Sequence, residues 1–240
     1  YLDLNSMNFW TGLLEWDVQA LLSINALHNP WMDRFAWLLS ETMVWSPAVL
    51  VLLYVLIKNK KVETIWIVLA VALLFVFTDQ VAGSVIKPLV GRLRPTRNPE
   101  LLPYLDVVNA YLGGTYGFPS NHAANAFAFA GFSALLFKNK VYSLSIFFWA
   151  AMVAFSRIYL GVHYPLDVIV GALFGFLSAW MFYALYVWCM RRFFSWNLGT
   201  LYRPTGYTPS LYAIKDIQLL LLVLLTILIS LVISSYYITW

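Results

Sequence analysis

Three short polar clusters interrupt an otherwise apolar sequence, and their residue types could move a phosphoryl group. The first is Lys87-Pro88-Leu89-Val90-Gly91-Arg92-Leu93-Arg94-Pro95, the second Phe118-Pro119-Ser120-Asn121-His122, and the third runs from Ser156-Arg157 through His163 to Asp167. Lys87, Arg94 and Arg157 supply cations that can neutralise a phosphate and the charge spreading over its equatorial oxygens, with Arg adding bidentate geometry. Ser120 falls at a turn opening a helix, where unpaired backbone N–H groups and the helix dipole favour an anion. Two histidines can divide the work: one must be neutral to attack phosphorus, the other protonated to give its proton to the departing oxygen. Asp167 follows His163 by four residues, so on a helical turn it can accept from one ring nitrogen and leave the other free for attack. No Asp/Glu/His grouping has the spacing of a metal site, so the expected chemistry uses no metal and no cofactor.

Helices in a bilayer must position these clusters. Hydrophobic residues make up 62% of the 240, charged residues 11%, and the mean hydropathy is +0.75, too apolar for a water-soluble domain of this length. Stretches 64–86, 141–160, 168–190 and 217–238 meet the roughly 20 apolar residues that a spanning helix needs. Two shorter stretches join them: 43–57, reaching back towards Asp33 through Pro47, and 123–137, bounded by His122 and Lys138. The predicted fold class is all-α, a polytopic membrane helical bundle of about six transmembrane helices. Residues 13–28 interleave Leu13, Leu14, Val18, Leu21 and Leu22 with Glu15, Asp17 and Gln19, which predicts an N-terminal interfacial helix. The chain 1–240 reads as one membrane-embedded domain. Its parts are an interfacial segment 1–32, a core bundle 33–190, a cytoplasmic linker 191–216 and an additional C-terminal transmembrane helix 217–240.

Cytoplasmic loops carry the excess of Lys and Arg. Lys58, Lys60, Lys61, Lys138, Lys140, Arg191, Arg192, Arg203 and Lys215 gather on one side, whereas the basic residues of the other side share their loops with most of the carboxylates. The first side is expected to be cytoplasmic, which turns both termini and the loops 87–122 and 157–167 to the periplasm of a bacterial inner membrane. The loop 96–118 is long for a compact bundle, and its Gly and Pro content suits a lid. Ala123 to Ala134 and the Gly171/Gly175 pair, at GxxxG spacing, read as packing faces. The single Cys189 excludes an internal disulfide. No soluble basic stripe with interleaved aromatics is present, so no nucleic-acid partner is expected.

The three clusters together resemble the signature of the type 2 phosphatidic acid phosphatase superfamily: K-x6-R-P from Lys87 to Pro95, P-S-G-H from Pro119 to His122, and S-R-x5-H-x3-D from Ser156 to Asp167. Order and internal spacing agree, over residues 64 to 180. The resemblance implies a helical bundle with its site at the outer end, and His163 as a nucleophile that forms a phosphohistidine. It further implies Asp167 as the partner of His163 and His122 as the general acid. Lys87, Arg94, Ser120 and Arg157 would hold the phosphate, helped by the backbone N–H of Asn121. Asn121 departs from the pattern, standing where the family commonly has Gly; Asn is the non-glycine residue that best tolerates a left-handed turn.

Blander readings compete at each position. His163 and Asp167 taken alone could cap a helix at the membrane surface, and Arg92 and Arg97 read as interfacial side chains that snorkel or touch headgroups. Asp79, a carboxylate inside a span, should face the bundle interior, either supporting a cation of the site or pairing with another polar residue. His28 reads as a helix-end residue. An anionic-lipid transporter or binding protein would need the cations but not the two histidines and aspartate. A lipid phosphotransferase or a sugar-phosphate phosphatase would use the same constellation, and the soluble haloperoxidases of the superfamily are disfavoured by the spans. Candidate lipid substrates of an outward-facing site are undecaprenyl diphosphate, phosphatidylglycerol phosphate, phosphatidate and a lipid A phosphate; the sequence carries no reading of oligomeric state.

Overall fold

The computed structural model describes residues 4–194 and 205–237. Helices α1 (Leu4–Asn25), α2 (Pro30–Ser40), α3 (Ser46–Lys60) and α4 (Glu63–Gln80) come first. A π-helical turn, Val81–Ile86, carries α4 into the short α5 (Lys87–Val90). A long loop with three 3-10 turns leads to α6 (Asn121–Phe137), followed by α7 (Lys140–Tyr159), α8 (Pro165–Phe194) and α9 (Ile214–Tyr237). Part of the expected linker, residues 195–204, lies outside the described residues.

Among the described residues, five helical stretches are long and apolar enough to cross a membrane: Thr42–Lys60, Glu63–Val90, Lys140–Tyr159, Pro165–Phe193 and Ile214–Tyr237. The bundle is a membrane protein, and its lipid-facing surface is legible from burial. Leu144, Phe148, Leu173, Trp180 and Leu222 are all more than half exposed, an arrangement that water would penalise and lipid tails do not. The stretch before Pro47 is not one extended span. The chain breaks at Glu41 (φ −78°, ψ 120°), so α2 ends there and Pro47 sits in the first turn of α3, where its missing N–H costs no hydrogen bond.

α6 is the axis of the bundle, packed against α4, α7 and above all α8. Its alanines 123, 124, 126, 128 and 130 are buried, and α8 approaches closely because Gly171 and Gly175 present no side chain. A Cβ on Gly171 would lie 2.5 Å from the Ser120 carbonyl oxygen, and one on Gly175 would collide with the Ala124 carbonyl. Small residues here serve backbone approach, which fixes the start of α6 against the start of α8. The two polar clusters at those starts are thereby brought together.

At the opposite end of the bundle, Asp216 of α9 accepts from Lys58 Nζ at 2.6 Å and from Asn59 Nδ2 at 2.9 Å. Asn59 Oδ1 in turn accepts the Ala213 N–H at 2.9 Å, so α9 is pinned to the end of α3.

Candidate active site

Each element at this end of the bundle, opposite Asp216, delivers its side chain for a local reason. The π-helical turn inserts an extra residue into the α4 ladder and so rotates Lys87 relative to a continuous α-helix. Gly91, at φ 63°, then ends the helix in a left-handed cap and releases the chain towards Arg92 and Arg94. Ser120 is the N-cap of α6, its Oγ accepting the Ala123 N–H at 3.5 Å, while its own N–H donates to the Asp167 carbonyl at 2.9 Å. Between α7 and α8 the Arg157 carbonyl accepts from the N–H groups of both Val162 and His163 at 3.2 Å, folding the third cluster into a tight turn.

His163 and Asp167 are fully buried. Nδ1 of His163 lies 3.4 Å from Oδ2 of Asp167, and Nε2 lies 3.1 Å from Nη1 of Arg94. An arginine can only donate, so Nε2 bears the lone pair and Nδ1 bears the proton directed at the carboxylate. Burial, then the nearby charges of Arg94, Arg157 and Lys87, hold the His163 imidazolium well below its ordinary range. Burial, then the charges of Arg157, His163, Arg94 and Lys87, hold the His122 imidazolium well below its ordinary range as well, so both histidines share one cationic cluster in which an anion's charge is what favours a proton on His122.

Arg157 is 3% exposed, yet its Nε and Nη2 have no hydrogen-bond partner among the described residues, and Nε of the buried Arg94 has none either. Leaving charged donors buried and unsatisfied is costly unless an anion completes them. The loop 95–118 closes over this cluster as a folded structure: Thr96 Oγ1 donates to the Leu112 carbonyl and Arg97 to the Gly113 carbonyl. Its glycines give room for close approach. A Cβ on Gly117 would lie 2.7 Å from Asp167 Oδ2, and one on Gly113 would lie 3.0 Å from Arg94 Nη1.

Lys87, Arg94, Ser120, His122, Arg157, His163 and Asp167 therefore converge at one end of the bundle. Asn121 differs from expectation. It is helical, in the first turn of α6, with no left-handed φ, and its side chain turns away to donate to Asp79 Oδ1 at 3.0 Å. Asp79 also accepts from Asn125 at 2.9 Å while lying within electrostatic reach of Lys87, so both readings offered for it, polar partner and support for a cation of the site, have a contact behind them.

Arg92 is the residue that sequence reasoning placed least well. It bridges two carboxylates, donating from Nη1 to Asp167 Oδ1 at 2.9 Å and from Nη2 to Asp17 Oδ2 at 2.6 Å, with its guanidinium 3.8 Å over the Tyr164 ring. Asp17 is fully buried, and its other oxygen accepts the Leu166 N–H at 2.8 Å. Burial pushes the Asp17 carboxyl up, and the Arg92 hydrogen bond pulls it back. α1 thus docks on the site through one face, Asp17, Leu21 and Asn25, all buried. That i, i+4, i+8 repeat was the available signal. His28 is structural: Nδ1 lies 2.8 Å from Asp33 and the ring stacks on Tyr159.

Beneath His122 a cavity of about 580 Å³ runs down into the bundle, lined mostly by apolar side chains from Leu39, Trp45 and Phe75 at its walls to Tyr142 and Leu224. The sequence model of the PAP2 superfamily matches residues 63–191. The chain is 42% identical over 171 residues to the lipid A 4'-phosphatase of Bacteroides thetaiotaomicron, covering 70% of this chain and 75% of that protein. Among solved structures it is similar to LpxE of Aquifex aeolicus, with TM-score 0.51 and 28% identity over 68% of this chain and 92% of that one. A transmembrane PAP2 type phosphatidylglycerolphosphate phosphatase from Bacillus subtilis shares the fold, with TM-score 0.57 and 21% identity over 76% of this chain and 89% of that one.

Proposed function

Because the chain belongs to the PAP2 superfamily, we propose that it is a phosphatase that removes phosphate from a membrane lipid phosphate, without a metal, through a phosphohistidine on His163. The observation that carries this reading is the pairing of a buried His163, its Nε2 turned to Arg94, with a buried Arg157 whose Nε and Nη2 have no hydrogen-bond partner among the described residues. A lipid substrate fits the apolar cavity that opens beside His122, which can hold a tail while the headgroup meets the cations. The lipid A 4'-phosphatase relative supports a phosphomonoester of that kind.

Lys87, Arg94, Arg157 and the backbone N–H groups opening α6 bind the phosphate, and Ser120 orders that helix start. Nε2 of His163 attacks phosphorus as the bond to the carrier oxygen breaks, and His122 gives that oxygen its proton. Asp167 holds Nδ1–H and stabilises the positive charge that develops on the ring. In the second half His122 takes a proton from water, whose oxygen attacks phosphorus as the P–N bond breaks and inorganic phosphate leaves. The cations perform the charge neutralisation that metal ions perform elsewhere. The outer placement of the site follows from the lysines and arginines gathered at the opposite end, which mark it as cytoplasmic, so the enzyme works at the periplasmic face of an inner membrane.

The test is phosphate release by purified protein from a panel of lipid phosphates in EDTA, with rapid alkaline quenching to trap phosphohistidine. Release in EDTA with an acid-labile phosphoenzyme is expected. Activity that EDTA abolishes and a divalent metal restores would overturn the mechanism.

A further inference from the structure

A second polar group lies on the leaving-group side of the site and has no part in the phosphate chemistry. Asp79 projects from a membrane-spanning helix, where an ionisable residue carries a cost and is retained for a reason. Asp79, Asn121, His122 and Asn125 all line the same cavity, so the carboxylate shares that space with the residue that would protonate the departing oxygen. It also lies within electrostatic reach of Lys87.

The hydrogen bonding of this group is incomplete in one sense only. Both amides, Asn121 and Asn125, donate to the same atom, Asp79 Oδ1, and Thr78 Oγ1 donates to Asn125 Oδ1 at 2.6 Å. Asp79 is exposed and its Oδ2 has no donor among the described residues, whereas Asn121 Oδ1 is buried and without a partner. The open group is therefore the Asp79 carboxylate, a charged acceptor. Such a surface takes hydrogen-bond donors and repels anions.

We propose that Asp79, with Asn121 and Asn125 fixing its orientation, forms a subsite for a hydroxyl-bearing carrier next to the phosphate ester. On this basis the enzyme selects a phosphomonoester of a hydroxylated glycolipid headgroup over a lipid diphosphate. In a diphosphate the group adjoining the transferred phosphate is itself an anion and would face the Asp79 carboxylate. This rests on the phosphatase reading and names the substrate class within it. Asn121 is part of the device, because its amide nitrogen donates to Asp79 Oδ1 and so orients the carboxylate.

The experiment compares kcat/KM for three probes: a long-chain glycoside monophosphate with a free hydroxyl beside the ester, its deoxy counterpart, and a polyprenyl diphosphate. Wild type is expected to favour the hydroxyl probe over the deoxy probe by roughly 10- to 100-fold, the effect of one hydrogen bond to a charged group. Asp79→Asn, which keeps shape and an acceptor for the two amides, should collapse that ratio and raise diphosphate turnover relative to the hydroxyl probe. The subsite is overturned if wild type does not distinguish hydroxyl from deoxy, a result that needs no variant to fold. It is equally overturned if Asp79→Asn lowers all three probes in parallel, which would mark Asp79 as a packing partner of α6. Failure of wild type to release phosphate from any probe would instead remove the phosphatase reading, and the subsite with it.

Discussion

The two ends of the bundle both bury charge, but they resolve it differently. At the Asp216 end, Asp216 is met by Lys58 and Asn59, and Glu63 lies 3.7 Å from Lys60, so each of these two carboxylates has a cation of its own. At the His163 end, Lys87, Arg94 and Arg157 crowd around His163, while Asp167 is already engaged by Arg92 and Asp17 is shared with the same arginine. Matched pairs hold helices together. The other end holds a cation excess in which Arg157 Nε and Nη2 and Arg94 Nε have no hydrogen-bond partner among the described residues, an arrangement that suits an anion.

The largest expected break in this contrast is His163→Ala, which should lower kcat by at least about 10⁴-fold and remove the trapped phosphoenzyme. A phosphohistidine recovered from that variant would move the nucleophile to His122. Arg157→Ala should follow, with a loss of about 100- to 1000-fold in kcat/KM and weaker inhibition by vanadate, which adopts the trigonal-bipyramidal shape of the transferring group. Vanadate binding unchanged in that variant would show that Arg157 does not face the anion.

Arg92→Gln and Asp17→Asn act one contact further out, as positioning residues. They should reduce kcat by about 10- to 100-fold with KM nearly constant, because they loosen the Asp167 carboxylate and not the phosphate cradle. An effect confined to KM would place Arg92 on the substrate instead. The pH profile sharpens the same point. Neutral His163 is the attacking form and burial holds its imidazolium down, so activity should persist as pH falls and be lost only well below the ordinary histidine value of 6.5. An acid limb near that value would mean that His163 is solvated in the working enzyme. At the end opposite His163, Asp216→Asn should lower the melting temperature in detergent and leave kcat unaltered; a loss of turnover would show that the two ends are coupled.

Periodicity and composition were enough for the membrane bundle, since apolar stretches of bilayer length have few other fates. The three clusters were legible for a related reason: in so apolar a chain, every strong polar group must be accounted for. Sequence alone could not see that Glu41 breaks the expected extension of the third helix, because that break is a backbone choice at one residue. It placed Asn121 in a left-handed turn, whereas Ser120 capping puts it inside α6.

What the sequence determined by itself was which polar residues stand together in three short clusters at helix ends, because residue type and spacing within one turn decide local reach. What only the tertiary structure decided was which carboxylate meets which cation. Arg92 looked like a snorkelling side chain until α1 brought Asp17 to it, and Asp79, within electrostatic reach of Lys87, also meets two asparagines that α6 brings to it. Both partnerships join residues far apart in the chain, and their formation depends on how closely helix backbones approach. That distance is set by Gly171 and Gly175 between α6 and α8, and by the Asp17, Leu21 and Asn25 face of α1, packing terms that no local pattern encodes.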